Sequence, residues 1–463
     1  MDNNENMTIN NPMGIQPIGK LLRDFAVPSV IAMLVNSLYN IVDQIFIGQG
    51  VGYLGNAATV VAFPIVTIVL AISMMIGTGG SAYASIKLGE KKFDVAEKVL
   101  GNMNTLLIVL GVLFSFICFL VFEPMLKLFG AQEAVMPYAK DYTSIILIGV
   151  PFMMVGSGLS NMARADGNPR LSMFSMLVGA ALNTILDPIY IFVFHWGVKG
   201  AAIATITSQI ISAVVLYWYF LRKGNMRLRV KNIKLDFILV GSFMVLGVSS
   251  FITQVANTAL QIILNNSLVY YGNLSHYGGD VALSAMGIVL KVSMILIAID
   301  IGIGIGAQPI WGFNEGANKP KRIKATYVLA VKIATIVSVV GWVICIFFPH
   351  LVLQIFGTDD PLFTEFAVKS MRIFMGGVFL AGAQIISTSY FQATGQAVKA
   401  SILSLLRQII LLVPLVVILP LFFGIDGILY SGAIADISSG IIVLFFVRKE
   451  MKKLNKRIAE SEE

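Results

Sequence analysis

Twelve long apolar runs divide this chain of 463 residues and constrain its fold more than any other feature. A helix needs about 20 mainly apolar residues to cross the hydrocarbon core of a bilayer, and the runs are long enough to do so. Only 13% of the residues are charged. Soluble domains contain about 25%, so most of the surface of this chain must face lipid. The sequence therefore predicts an all-α, polytopic membrane protein with no room for a separate soluble domain.

Glycines, prolines and clusters of charge separate the apolar runs and set the bounds of the twelve predicted transmembrane helices. These helices cover residues 25–48, 57–86, 99–122, 141–162, 171–194, 200–221, 237–268, 281–312, 325–348, 365–390, 400–422 and 427–447. Nearly all lysines and arginines in the loops and tails fall on the side that carries both termini. The opposite side holds only Lys127, Lys140, Lys199 and Lys369. By the positive-inside rule we expect a multi-pass protein of the plasma membrane with both termini in the cytoplasm.

The second half of the chain repeats the first half at a spacing near 227 residues. The matched positions include Cys118 with Cys345, Gly197 with Gly424, and Leu128-Phe129-Gly130 with Ile355-Phe356-Gly357. Each half holds six predicted helices, so the halves share one orientation and are related by an axis along the membrane normal. We predict two pseudo-symmetric six-helix lobes at 1–220 and 237–450, joined by a cytoplasmic linker at 221–236 and followed by a cytoplasmic tail at 451–463.

Two aspartates interrupt the predicted helices of the first lobe, Asp43 in the first helix and Asp187 in the fifth. A charged side chain at the centre of a span costs roughly 2.5–3.5 kcal/mol, and such residues usually mark an ion or substrate path. Asn183 lies one turn before Asp187 on the same face. Pro188 has no N–H group to bond the carbonyl oxygen of Thr184. These oxygens either hold a small cation such as Na⁺ or share a proton, and the sequence leaves both alternatives open.

Structural roles for the two acids are the competing interpretation, as a helix-end residue for Asp43 and a cap-like residue for Asp187. The internal repeat argues for a functional role, because the second lobe lacks both acids. At an offset of 221, Asp43 aligns with Leu264, and at an offset of 227 Asp187 aligns with Pro414. Packing symmetry between the lobes therefore does not require either carboxylate.

Further charges interrupt the predicted helices of the second lobe, at Lys291, Asp300, Arg372, Arg407 and Asp436. Lys291 and Asp300 are nine residues apart, which places them on opposite faces of one helix. Buried ion pairs of Lys291 or Arg407 with Asp300 or Asp436 would be structural. A role in gating or substrate binding is the alternative for these four residues, because intramembrane charges usually line transport paths.

The remaining composition gives no sign of catalysis or of a bound cofactor. The two cysteines and three histidines are scattered without the spacing of metal ligands, and no paired catalytic motif stands out. The net charge of +8 arises from basic loops, which is the topology signal of a membrane protein rather than of a nucleic-acid partner. We therefore predict a protein that is not an enzyme, works in the bilayer on small molecules, and is a monomer.

Four stretches of the sequence together resemble the multidrug and toxic compound extrusion (MATE) family, in particular its MepA-like bacterial branch. They are Asp43-Gln44-Ile45-Phe46-Ile47-Gly48, Arg164-Ala165-Asp166-Gly167-Asn168-Pro169, Gly200-Ala201-Ala202-Ile203-Ala204-Thr205 and Gln308-Pro309-Ile310-Trp311-Gly312-Phe313-Asn314. The resemblance implies two lobes arranged in a V and export of small amphipathic, cationic molecules in exchange for Na⁺ or H⁺. It also implies a first-lobe cation site, which in this sequence is formed by Asp43, Asn183, Asp187, Ala201 and Thr205.

These observations predict a cation-coupled antiporter that works by alternating access. Another branch of the family uses acids in the seventh and tenth helices. The seventh helix here offers Gln254, Asn257 and Gln261 but no acid, so a second-lobe cation site of that kind is not expected. The alternative function is a flippase of lipid-linked saccharides, in which Arg372 and Arg407 would bind the pyrophosphate. A membrane enzyme or a purely structural membrane protein fits the buried acids less well.

Overall fold

The computed structural model describes residues 11–129, 131–354 and 361–461. Within these ranges twelve helices are long and apolar enough to cross a membrane, and no strand occurs. In chain order, α1 to α12 are Ile18–Val51, Leu54–Gly89, Phe93–Leu128, Met136–Ala165, Pro169–Val193, Gly197–Arg222, Phe237–Asn273, Gly279–Gly316, Pro320–Phe347, Pro361–Ala393, Ala397–Phe423 and Ile425–Glu460. The predicted all-α fold with twelve transmembrane helices is confirmed.

Most helices extend beyond the apolar runs from which they were predicted. The largest extension is in α12, which continues through Glu460 instead of ending at residue 447, so the predicted tail at 451–463 begins inside this helix. Its extra turns are held by buried Glu450, which accepts hydrogen bonds from Lys399 Nζ at 2.7 Å and Gln396 Nε2 at 2.8 Å. Apolar runs predict only the part of a helix that crosses lipid, because polar residues continue a helix in water.

Three helices contain irregular turns that the apolar pattern does not predict. A π-helical turn at Ile189–Val193 follows Pro188 in α5, and a second one at Leu406–Leu412 interrupts α11. A 3₁₀ stretch at Met375–Leu380 interrupts α10. Such turns often mark functional positions. Here the two π-helical segments lie next to Asp187 and around Arg407, two of the charges that the sequence placed inside the membrane.

The two lobes come into close backbone contact where α2 packs against α8. A Cβ atom added to Gly89 would lie 2.0 Å from the carbonyl oxygen of Phe313, and one added to Gly316 would lie 1.9 Å from that of Ile86. Residues 86 and 89 correspond to residues 313 and 316 at the predicted offset of 227. The two contacts are therefore equivalent under a pseudo-twofold axis that passes between α2 and α8, as the internal repeat implies.

The same symmetry relates the contact of α1 with α8 to the contact of α7 with α2. A Cβ atom added to Gly302 would lie 2.6 Å from Val30 Cα, and one added to Gly247 would lie 1.7 Å from the carbonyl oxygen of Met75. Because residue 75 corresponds to residue 302 at 227, residue 30 corresponds to residue 247. The offset between α1 and α7 is therefore 217.

This offset corrects the alignment expected for the first and seventh helices. The counterpart of Asp43 is Leu260 rather than Leu264, because the chain between the matched positions of α7 and α8 is ten residues longer than that between α1 and α2. The conclusion that the second lobe has no acid at this position is unaffected. The matched residues Gly130 and 355–357 lie outside the described residues.

Hydrogen bonds between the lobes converge on Thr78 of α2. Its hydroxyl donates to Ser250 Oγ of α7 at 2.9 Å and accepts from Gln392 Nε2 of α10 at 3.4 Å, while its carbonyl oxygen accepts from Gln308 Nε2 of α8 at 3.4 Å. These bonds lie in the half of the bundle that carries both termini, called the termini side below. They close the space between the lobes on that side.

The segment before α1 adds a second closure on the termini side. It forms the short helix Pro12–Ile15, whose carbonyl groups are bound by the second lobe. Arg322 Nη2 donates to Met13 O at 3.0 Å and to Gln16 O at 2.8 Å, and Asn314 Nδ2 donates to Met13 O at 3.0 Å. The start of the first lobe is thus fastened across the interface to α8 and α9.

The segment 223–236, which joins the lobes, is anchored to the first lobe by Asp166. This carboxylate accepts hydrogen bonds from the Tyr219 hydroxyl at 2.7 Å and from the backbone N–H groups of Asn225 at 2.9 Å and Met226 at 2.8 Å. Asp166 lies between α4 and α5 and is almost fully buried. The beginning of the joining segment, at Asn225 and Met226, is therefore held to the first lobe.

The buried carboxyl group of Asp166 predicts a pH dependence of stability. Burial raises its pKa to about 7, although its hydrogen bonds act in the opposite direction. Because an aspartate in an unfolded chain titrates near ~3.9, the folded protein holds this proton more tightly. The stability that the proton contributes is present below about pH 4 and is lost as the pH rises to about 7.

We therefore expect the thermal unfolding temperature of the wild-type protein to fall more steeply between about pH 5 and about pH 8 than that of Asp166→Asn. The amide does not titrate in this range, so its variant lacks the proton-linked loss. The measurement is thermal unfolding of both purified proteins in the same detergent. Parallel pH profiles for the two proteins would contradict the prediction.

Candidate cation site

Three helices of the first lobe bring four of the predicted ligand residues into one buried cluster. Asp43 comes from α1, Asn183 and Asp187 from α5, and Thr205 from α6. Asp187 is completely buried, and Asp43 keeps 8% of its surface exposed. The carboxyl groups of Asp43 and Asp187 lie close enough to interact directly. The two acids that the apolar pattern singled out therefore form one pair.

The side-chain amide of Asn183 links this pair to α6. Its nitrogen donates to Asp187 Oδ2 at 2.9 Å, and its oxygen accepts from the Thr205 hydroxyl at 3.2 Å. The one-turn spacing of Asn183 and Asp187 makes the first contact possible. The amide thus orients the Asp187 carboxyl group and places an oxygen atom that could bind a cation on one side of the cluster.

The charge state of the carboxyl pair follows from its surroundings. No lysine or arginine contacts Asp43 or Asp187 in the described part of the chain, and Asp43 Oδ1 is buried without a hydrogen-bond partner. Two negative charges at this separation repel each other strongly, and burial removes the water that would stabilise them. The arrangement is therefore stable only when a proton or a small cation joins the two groups.

The donor atoms fit either occupant. Two carboxylates, an amide oxygen and a hydroxyl oxygen are the hard oxygen donors that bind small cations. A bound Na⁺ and a shared proton, the two alternatives from the sequence, are therefore both compatible with the cluster.

Ala201 is the one predicted ligand that the described contacts do not join to the cluster. It lies one turn before Thr205 in α6 and is completely buried. It packs with Ile47 and Tyr142 in the apolar layer beside the acids. Its carbonyl oxygen as a cation ligand stays a prediction.

Two tyrosines border the acid pair and were not predicted as site residues. Tyr39 of α1 lies beside Asp43, Asp187 and Thr205, and Tyr142 of α4 lies near both acids. The position of Tyr39, one turn before Asp43, gives a local signal that could have revealed it. No local pattern identifies Tyr142, because its proximity depends on how α4 packs against α5 and α6.

The four candidate charges of the second lobe do not form one site. Arg407 Nε donates to Asp436 Oδ1 in a buried ion pair between α11 and α12. Asp300 is buried and accepts a hydrogen bond from the Ser338 hydroxyl at 2.8 Å. Lys291 is exposed and has no ion pair among the residues that the structure describes. The structure therefore favours a packing role for the Arg407–Asp436 pair and separates Lys291 from it.

Arg372, which the flippase alternative would use, is also accounted for by a local contact. Its Nε atom donates to the carbonyl oxygen of Ile346 at 3.1 Å, where α10 passes the end of α9. Arg372 therefore links α10 to the end of α9 within the second lobe.

Comparison with known proteins places the chain in a family. The family model MatE matches residues 28–189 and 241–418, one segment in each lobe. The multidrug export protein MepA of Staphylococcus haemolyticus is 28% identical over 435 residues, which cover 93% of both chains.

Solved structures give the same picture. The MATE multidrug transporter DinF-BH, solved as a complex, is 35% identical and superposes with a TM-score of 0.86 over 94% of this chain and 96% of its own. A MATE crystal structure in complex with MaL6 is 21% identical, with a TM-score of 0.90 over 96% of this chain and 99% of its own. The latter similarity concerns the fold alone.

Proposed function

Because the chain belongs to the MatE family of multi-pass membrane transporters, we propose that it is a cation-driven antiporter that exports small amphipathic molecules. The observation that carries the proposal is the buried pair of Asp43 and Asp187, which requires a proton or a cation. The names of the relatives, a multidrug export protein and a multidrug transporter, support drug-like substrates. The cationic character implied by the family resemblance is part of the proposal.

The closed end of the bundle suggests how the transporter is oriented. Both termini and most basic loops lie on the closed side, so we assign this side to the cytoplasm by the positive-inside rule. The conformation described here then opens toward the outside. We further propose that the protein acts as a monomer in the plasma membrane.

Coupling would pass from the acid pair to the lobe interface through α1. Asp43 and Tyr39 face the cation site, while Val30 of the same helix packs against Gly302 of the second lobe. Pro28 lies inside α1 beside this contact and removes one helical hydrogen bond, which permits bending there. Binding of a cation by Asp43 would change the position of the outer part of α1 about this proline. That movement alters the first-lobe cavity and releases the exported molecule.

We take a proton as the coupling ion, because two adjacent buried acids can share one proton without any further ligand. In proteoliposomes we expect an imposed pH gradient to drive accumulation of a fluorescent amphiphile, and an imposed Na⁺ gradient at equal pH on both sides to drive none. A tenfold proton gradient supplies about 1.4 kcal/mol per proton. Transport driven by sodium alone would overturn proton coupling, and transport driven by neither ion would overturn antiport.

A further inference from the structure

The helix α8 directs Lys291 toward the space between the lobes. Lys291 precedes Gly302 by 11 residues and Gly306 by 15, which places it within about 20° and 60° of them around the helix. Both glycines pack against the backbone of α1, at Val30 and Ala26. Lys291 lies on the same face of α8, farther from the termini side, and its side chain is exposed. Its ammonium group therefore faces the space between the lobes on the side opposite the termini, which is called the gap below.

The described contacts leave Lys291 without an acidic partner in the membrane. Asp300 lies on the opposite face of α8, where it is buried and bonded to Ser338. Asp436 is neutralised by Arg407. The acids of the cation site are buried inside the first lobe. An intramembrane lysine is costly and is usually retained for a functional partner.

Polar side chains of α7 line the same gap. Gln254, Thr258, Gln261 and Asn265 recur at spacings of three or four residues on the face that carries Gly247. Each lies within about 40° of Gly247 around the helix, and Gly247 packs against α2 on the termini side. These side chains are exposed or half-buried. Amide and hydroxyl groups donate hydrogen bonds readily to anionic oxygens.

We propose that this surface of α7 and α8 binds an anionic group of the transported molecule, a carboxylate or a phosphate, with Lys291 as its ion-pair partner. The inference rests on the proposed export function and deepens it by naming the substrate class. A substrate with the positive charge implied by the family resemblance would then be a zwitterionic amphiphile. The phosphate of a membrane lipid is a second molecule that could supply this anionic group.

The test compares two dyes that differ only in the anionic group. We would measure binding of a rhodamine with a free benzoate and of its ethyl ester to the purified, full-length protein by fluorescence polarisation. A charge-assisted hydrogen bond contributes roughly 1.5–3 kcal/mol, so the acid should bind at least about tenfold more tightly than the ester. Lys291→Met should weaken binding of the acid to the level of the ester and leave the ester unchanged.

The matched control is Lys332→Met, which also removes an exposed lysine from a membrane helix. Lys332 lies in the groove between α9 and α12, beside Val328 and Ile458, away from the gap. This control should leave both affinities unchanged. Displacement of the acid dye by short-chain phosphatidic acid, in the wild-type protein only, would identify a lipid phosphate as the natural group.

Three results would overturn the inference. They are equal binding of acid and ester by the wild-type protein, a preference for the acid that survives Lys291→Met, and an equal loss of both dyes in that variant. Binding is measured without an ion gradient. A failure of the proposed antiport in proteoliposomes is therefore distinguishable from a failure of this inference.

Discussion

Replacing either buried acid by its amide, in Asp43→Asn or Asp187→Asn, is expected to abolish gradient-driven export while leaving the protein folded. The amide has nearly the same shape and can donate a hydrogen bond to the remaining carboxyl group. It therefore imitates the protonated state permanently, without repulsion between the groups. A transporter held in that state cannot release its coupling ion, so substrate movement no longer depends on the gradient.

The size of the loss follows from the driving force. One charge that crosses a potential of 100 mV supplies about 2.3 kcal/mol, which sustains roughly a fortyfold gradient of a neutral solute. Each variant should reduce the accumulation ratio of a fluorescent amphiphile in proteoliposomes to about 1, while its thermal unfolding temperature stays near that of the wild type. Dye binding without a gradient should persist, because the amide removes coupling and not the binding surface.

A matched control tests whether the loss of export requires these two acids or follows from removing any carboxylate of the first lobe. Asp141 lies near the outer end of α4 and forms an exposed ion pair with Lys199. Exposed pairs contribute little, about 0–1 kcal/mol, so Asp141→Asn should transport normally. Full gradient-driven export by both Asp43→Asn and Asp187→Asn would refute the acid pair as the coupling site.

The sequence predicted the features that follow from lipid surrounding the protein, namely the apolar helices and the buried charges. Lipid requires long apolar helices and penalises charge, so both the twelve spans and the pair of Asp43 and Asp187 could be identified without coordinates. The spacing of Asn183 and Asp187 indicated a shared helix face. These predictions use local periodicity and composition, which can be read from each helix without knowing its neighbours.

The properties that the sequence did not predict depend on how separate helices are placed. Arg407 had two possible acidic partners, and only packing of α11 against α12 selects Asp436. Tyr142 reaches the acid pair because α4 packs against α5 and α6. The offset of 217 between α1 and α7 follows from contacts across the interface at Gly247 and Gly302, whereas similarity of single residues had indicated 221.

The closed interface on the termini side is expected to be intolerant of a single methyl group at Gly247. The Cβ atom of Gly247→Ala would lie 1.7 Å from the carbonyl oxygen of Met75 and 2.6 Å from its carbonyl carbon. Both obstacles are backbone atoms, so no flexible side chain can move aside. Because overpacking typically costs about 1–3 kcal/mol, α2 and α7 must separate, and the closed conformation loses population. Export should fall by a factor between about 5 and about 100, since about 1.4 kcal/mol corresponds to a factor of ten.

The same helix provides the control for this prediction. A Cβ atom added to Gly241 of α7 meets nothing within 4 Å, so Gly241→Ala gains helix propensity of up to about 1 kcal/mol without a clash. It should keep normal export and equal or greater thermal stability. Spin labels at exposed Lys91 of the first lobe and Lys452 of the second should move apart in Gly247→Ala and not in Gly241→Ala. If Gly247→Ala keeps both the wild-type distance and the wild-type export rate, contact between α2 and α7 does not close the termini side. The closure would then have to come from the glycines of α8 that contact α1 and α2, and from the hydrogen bonds of Arg322 in α9 to residues before α1.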